Sequence, residues 1–368
     1  MVKVLVFDTE TTGLPPFQVM EKDYPYKKGE TSYKYNARMR PIREAKRAEE
    51  RALDENPLLW ENYRETWPYI VQLSYIMFDM DTNETIERDI YVEMPPQFTT
   101  EEYLATAHHI TSTAIRAGLA ANRVNVAEAL EEFMTFFRDA TVVTGHNVNF
   151  DINMLLAECT RNSKPEILNE IVAAKSANKI YCTACKSTNL VKIYQSYNRN
   201  KDPPVYKTPK LNEAYFRMFG YAPNESALHN ALIDVVACLR VFFRLWSQGI
   251  QITENNNNNI PVCGVGAPDI YLILKDMSPI NPIVRIINEF TPVGVDPSGV
   301  GSPGLTVCPP IDAAELTAEM VNGNGSSQNG GKKTKTRRRR RPRKSRKSKK
   351  SKKSRKSRKS RKSRKSRK

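Results

Sequence analysis

The sequence predicts an α/β fold, a mixed sheet flanked by helices. Three observations carry this. A β-branched apolar run stands at residues 2–7, and two further such runs at 68–80 and 86–92 are joined by turn chemistry. After them, helical periodicities alternate with short strand-like stretches.

The run at 2–7 is apolar on both faces apart from Lys3, as a central strand requires. Residues 81–84, Asp-Thr-Asn-Glu, separate the second and third runs, so those two form a hairpin. Between the first two strands lies a charged, Tyr-rich insert at about 17–67. Its stretch 37–53 reads as an exposed helix with mixed charges, and the whole reads as an excursion from the fold.

Val126, Leu130, Phe133, Met134 and Phe137 fall on one helical face, with Asn125 placed to cap it and Glu128 three residues on. Residues 141–144 form a short strand and 150–159 a helix. Residues 211–219 form another helix ending at Gly220. Residues 231–246 are apolar nearly all round, which predicts a buried helix.

From 251 to 331 the chain is rich in Pro, Gly and Asn, with a pure Asn run at 255–259, and reads as linker. The apolar stretch 270–290 stands out from it. It is either an element packed back on the body or a docking segment for a partner, and the first is favoured. Residues 332–368 hold 26 Lys or Arg and no acid, which predicts a disordered tail. The preceding 331 residues hold 31 basic against 40 acidic side chains, so an acidic body carries a polycationic tail.

The six cysteines suggest no disulfide framework. No secretory signal or membrane-length apolar stretch is present, so an intracellular compartment is expected and no membrane partner. Cys182 and Cys185 have a metal-ligand spacing, but no second ligand pair stands near them, which disfavours zinc.

Three acidic elements carry the chemistry. Asp8 and Glu10 are two apart, so on an extended chain they share a face, where they repel unless a cation lies between them. Alone, the pair could equally be a solvated turn. Asp151 follows Gly145-His146-Asn147 at a strand-to-helix junction, where Asp also serves as a helix cap. Asp234 sits within the apolar helix, where a carboxylate needs a metal or a salt bridge. His229 precedes it by five positions, about 500° of helical turn. The two would stand roughly 140° apart on one helix, so His229 must lie in the preceding loop or first turn to reach the same site. In isolation a structural histidine would be the better reading.

In this order, Asp8-x-Glu10, then Gly-His-Asn with Asp151, then His229-x₄-Asp234, the set resembles the DEDDh family of exonucleases, the DnaQ-like proofreading type. Residues 68–73, Ala107 to Thr111, Tyr181-Cys182-Thr183 and Pro209-Lys210-Leu211 are similar to further stretches of that family. The resemblance covers about residues 1–250, and the insert departs from it.

The resemblance implies a ribonuclease H-like five-stranded mixed sheet and two divalent cations, Mg²⁺ or Mn²⁺. Asp8 would bridge both ions. Glu10 and Asp234 would hold the nucleophile-side ion, Asp151 would support the other, and His229 would take a proton from the attacking water. Thr11, Leu14, His109, Asn147 and Phe150 would contact the substrate's terminal nucleotide. The implied activity is 3′–5′ removal of nucleoside 5′-monophosphates from DNA ends, in proofreading, repair or end trimming. An RNA-trimming exonuclease and a non-catalytic nucleic-acid packaging protein are the alternatives. No polymerase-like segment is present, so proofreading would need a polymerase or replication partner.

The tail binds phosphates without sequence preference. It also suits nuclear import through residues 337–341, and its serines are candidate phosphorylation sites. In composition it is similar to tails of proteins from large DNA viruses of eukaryotes. The nucleus, a site of DNA replication and a virion are the expected locations.

Tail capture is uniform binding that does not favour a transition state. Removing residues 332–368 is therefore expected to raise KM on long substrates several-fold, leave kcat near its original value and flatten the salt dependence. Steady-state kinetics over a salt series check this. Equal KM and equal salt slopes with and without the tail would show that it takes no part in capture.

Overall fold

A computed structural model describes residues 2–17, 24–98, 123–194, 203–224, 230–247, 269–298 and 311–312, with 316 and 320. The early apolar run becomes strand β1, Lys3–Thr11. It is longer than the sequence reading at 2–7, because β2, Ile70–Asp79, pairs with it antiparallel as far as Thr11. Asp8 and Glu10 therefore stand on the strand itself rather than after it. β3, Thr85–Tyr91, completes the expected hairpin, with Asn83 in the left-handed region (φ 58°) at its turn.

Helix α1, Ser32–Glu55, occupies the insert. Helix α2, Val126–Asp139, follows the hairpin, capped as expected by Asn125, whose Oδ1 accepts from the Ala127 amide at 2.9 Å. Strand β4, Val142–Gly145, runs parallel to β1, and helix α3, Asn149–Arg161, follows it. Among the elements that escape the sequence reading are helix α4 at Pro165–Ser176, strand β5 at Ile180–Cys182 and helix α5 at Thr183–Val191. β6, Ile193–Tyr194, precedes helix α6, Leu211–Phe219, which ends at Gly220 with φ 78°. Helix α7, Ala231–Ser247, follows.

The sheet order is β3-β2-β1-β4-β5, a five-stranded mixed sheet with β1 at its centre. This is the ribonuclease H-like arrangement that the resemblance implies. One face packs against α7, where Val4, Val6, Ile76 and Phe78 meet Val235, Leu239 and Phe242. The other packs Leu5, Phe7, Tyr75 and Met77 against α2 and α3 through Phe133, Met134, Ile152 and Leu155. Alternation along β1 thus feeds both layers.

The insert is no mere excursion. Phe17, Leu53, Trp60 and Trp67 are buried and belong to the same apolar cluster as α3. Trp60 and Trp67 pack ring against ring at 5.0 Å. The long helix is thereby fixed to the layer that carries Asp151.

Helices α8, Ile270–Met277, and α9, Pro282–Phe290, bury Ile270, Leu274, Ile283 and Ile287 in the cluster that contains α7. Asp269 ion-pairs with fully buried Arg240 of α7, whose guanidinium also donates to the Tyr221 hydroxyl at 2.6 Å and the Pro297 carbonyl at 2.6 Å. Residues Ile311–Asp312 form β7, paired with β6. Among the described residues no helix is long and apolar enough to cross a membrane. The tail at 332–368 and the Asn run at 255–259 lie outside the described residues.

Candidate active site

The site stands where β1 loses one neighbour. β4 pairs with β1 only from Val4 to Val6, while β2 stays paired to the end. Past Val6 the β4-facing edge of β1 is open, and its amides need other acceptors. The Asp151 carboxylate supplies one. Its Oδ1 accepts from the Thr9 amide at 3.0 Å and from the Thr9 hydroxyl at 2.7 Å. Asp151 is therefore not a helix cap. It is a buried side chain in the first turn of α3 that latches the helix to the central strand.

Two glycine-and-turn features make this approach possible. A Cβ at Gly145 would lie 2.9 Å from the Phe7 carbonyl oxygen and 3.0 Å from a methyl of Val148, so only glycine lets the end of β4 lie this close to β1. Asn147, at φ 68°, then turns the chain into α3. His146 is held within this turn. Its Nε2 donates to the Pro209 carbonyl at 3.0 Å and its Nδ1 meets the Thr183 hydroxyl at 3.0 Å. Burial pushes the imidazole down to about 4, so it is neutral and structural.

Asp8, Glu10 and Asp234 form one cluster. Each offers a carboxylate oxygen, and these oxygens lie within 4.8 Å of one another. Asp8 and Glu10 point the same way, as their spacing predicts. Asp234 comes from the first turn of α7, which two contacts place. The Gln72 Oε1 accepts from the Ala231 amide at 3.3 Å, and Gln72 is the β2 partner of Glu10. The Asn230 Oδ1 accepts from the Leu232 amide at 3.1 Å, capping the helix. A carboxylate in the first turn is further favoured by the helix dipole. Neither Gln72, Asn230 nor Thr9 was singled out by the sequence.

Desolvation and mutual repulsion raise these acids. Burial holds Asp8 well above the usual carboxylate range, with Asp151, Asp234 and Glu10 adding to the effect. Glu10 rises to about 8, through burial and then Asp234 and Asp151. Asp151 rises to about 7 through burial, against the lowering effect of its bonds from Thr9. A crowd of oxygen donors that resists ionisation without a counter-charge is the donor set that suits a hard divalent cation. Asp8, Glu10 and Asp234 fit such an ion directly.

The other expected residues are placed as follows. Thr11 is buried at the end of β1, with its hydroxyl donating to the Gly13 carbonyl at 2.8 Å, and Leu14 beyond it is exposed. Asn147 and Phe150 line one cavity, which residues of the insert share. His109 and His229 lie outside the described residues, and α7 begins at Ala231. Cys182 is spent locally, its Sγ accepting from the Cys185 amide at 3.4 Å to cap α5.

Residues 65–242 match the family model RNase_T, described as Exonuclease. The chain carries a domain of this exonuclease family. The matched stretch holds Asp151 and Asp234 and begins after the insert helix. Asp8 and Glu10 lie ahead of it, and the sheet brings them to the same site. No curated protein matches the chain.

The raised carboxylates predict a pH dependence of the metal-free domain. A carboxylate whose folded pKa exceeds its unfolded value binds more protons when folded. Stability therefore falls as pH rises from the ordinary value near 4.5 through the folded value of about 8 for Glu10. In chelator, Tm is expected to drop across this range and Mn²⁺ or Mg²⁺ to restore it, most at the alkaline end. Asp8→Asn removes one of the repelling charges and should raise the chelated Tm by several degrees, at about 2–4 °C per kcal/mol for a domain of this size. A Tm that is flat with pH and indifferent to Mn²⁺ would contradict the electrostatic picture.

Proposed function

We propose that this nuclease domain is a metal-dependent 3′–5′ exonuclease of the DEDDh type that releases nucleoside 5′-monophosphates from DNA ends. The observation that carries this reading is the cluster of Asp8, Glu10 and Asp234 at the end of the central strand of an exonuclease-family domain. Two divalent ions held there would stabilise the attacking and the leaving oxygen at a phosphodiester.

The chain's own residues do the rest. Asp8, Glu10 and Asp234 supply oxygen ligands from one strand and one helix, fixed relative to each other by Gln72 and the β1–β2 register. Asp151, with one oxygen committed to Thr9, keeps the other for a water-mediated role. His229 takes the proton of the attacking water, five residues before Asp234 in sequence. Leu14, exposed beyond β1, wedges against the terminal base, and the Thr11 backbone meets its sugar. Asn147 and Phe150 contact the same nucleotide, and His109 joins them. The polycationic tail brings the acidic body to nucleic acid, in the nucleus or wherever a replication partner holds DNA ends.

Matched DNA and RNA oligonucleotides, labelled at either end and incubated with the full chain and Mg²⁺ or Mn²⁺, test this. The expected result is stepwise shortening of DNA from the 3′ end with 5′-monophosphate products. Asp8→Ala should lower the rate by three orders of magnitude or more while nucleic-acid binding persists through the tail. Preferential shortening of RNA would move the substrate to RNA. Cleavage that survives EDTA or Asp8→Ala, internal cuts, or shortening from the 5′ end would overturn the assignment.

A further inference from the structure

The insert helix contributes to a cavity that the family's shared elements would not build alone. A space of about 450 Å³ lies between α1 and the turn that leads into α3. Arg43 and Arg47 line it from α1, Asn147 and Phe150 from the turn and the start of α3. Phe17 and Trp67, the two ends of the insert, close it. Its size falls in the range of ligand sites. Phe150 immediately precedes Asp151, so the cavity adjoins the carboxylate site through the chain itself.

The charges of α1 are distributed in a telling way. Arg38, Arg40 and Lys46 are each neutralised by an ion pair, with Glu30, Glu44 and Glu49. Arg43 and Arg47, four residues apart on one helix face, are not. Among the described residues Arg43 donates to the neutral Asn36 side chain at 3.2 Å and, like Arg47, makes no ion pair. Among the described residues of the cavity wall Glu50 is the only acid beside Arg43 and Arg47, which leaves these a positive excess on an otherwise acidic body. Two further wall residues carry buried polar atoms without a hydrogen-bond partner, Trp67 Nε1 and Asn153 Oδ1. Such atoms are expensive to leave unmatched, and a polar ligand is one way to match them.

We propose that this cavity is a subsite for the substrate strand, in which Arg43 and Arg47 bind a backbone phosphate upstream of the scissile one and Phe150 meets the base of the terminal nucleotide. The pairing of a guanidinium pair with an aromatic wall is the chemistry that holds single-stranded nucleic acid. This rests on the exonuclease reading and adds to it a strand contact made by the insert. The subsite holds the strand in the ground state and the transition state alike, so it acts on KM.

The test compares two substrates of the full chain. One is a short single-stranded oligonucleotide. The other is the p-nitrophenyl ester of thymidine 5′-monophosphate, which has no upstream phosphate. The double variant Arg43→Gln/Arg47→Gln should raise KM on the oligonucleotide about tenfold or more, with kcat within about twofold of the parent. The rise should exceed that on the ester by at least fivefold. Arg43→Lys/Arg47→Lys should recover part of the affinity, since it restores charge without the planar fork. The salt dependence of oligonucleotide KM should lose roughly 0.7–1.4 in logarithmic slope. Matching Tm values establish that the variants fold, and Arg47→Gln alone, at an exposed position, gives a milder second variant. An unchanged oligonucleotide KM, or equal losses on both substrates, would overturn the subsite while leaving the exonuclease reading intact. A parent chain that cuts neither substrate would remove both.

Discussion

Repulsion among carboxylates at the open end of the central strand is the constraint that the rest of the domain answers to. Asp8, Glu10 and Asp234 converge within a few ångströms, and Asp151 stands close enough to raise Asp8 further. Such a group would splay apart unless each backbone were held independently. β1 is held on one side by β2 along its whole length, and on the other by Asp151 itself, which replaces the missing ladder bond of Thr9. α7 is held by Gln72, Asn230 and the apolar face that packs on the sheet. The sheet thus spends its rigidity on keeping like charges together, an arrangement that a divalent cation relieves.

The same logic extends outward. Arg240 is fully buried in α7 and joins Asp269, Tyr221 and the Pro297 carbonyl, tying the segment 269–298 to the helix that carries Asp234. A buried charge of this kind is tolerated only with its partners in place. On the opposite layer, Trp60 and Trp67 fix the insert to α3, the helix that carries Asp151. Both elements outside the central sheet therefore brace a helix that presents an acid to the site.

Much of this was legible in the sequence, for identifiable reasons. Asp8 and Glu10 could be paired because alternate residues of a strand share a face, and Asp234 stood out because a carboxylate in an apolar helix needs a reason. The limits were equally physical. Charged residues made β1 look finished at Phe7, although its hydrogen-bonding partner β2 carries it on to Thr11. β5, with three residues, is too short to show a period. The insert reads as an excursion in the sequence because Phe17, Trp60 and Trp67 follow no period, and their burial is set by packing against α3. Thr9 and Gln72 act through contacts across 142 and 159 positions, and Asn230 through a cap. No local pattern marks the first two, while Asn230, one residue before α7, stands at a position where Asn commonly caps a helix.

The account stands on the identity of the three carboxylates as cation ligands. Its most direct measurement is diffraction from crystals of the full chain grown with Mn²⁺, with data collected to record the anomalous signal of the metal. The account predicts an anomalous peak enclosed by the carboxylate oxygens of Asp8, Glu10 and Asp234, lost in crystals of Asp8→Asn. A peak elsewhere on the chain with none among these three, or a cluster that stays metal-free at saturating Mn²⁺ and neutral pH, would contradict it.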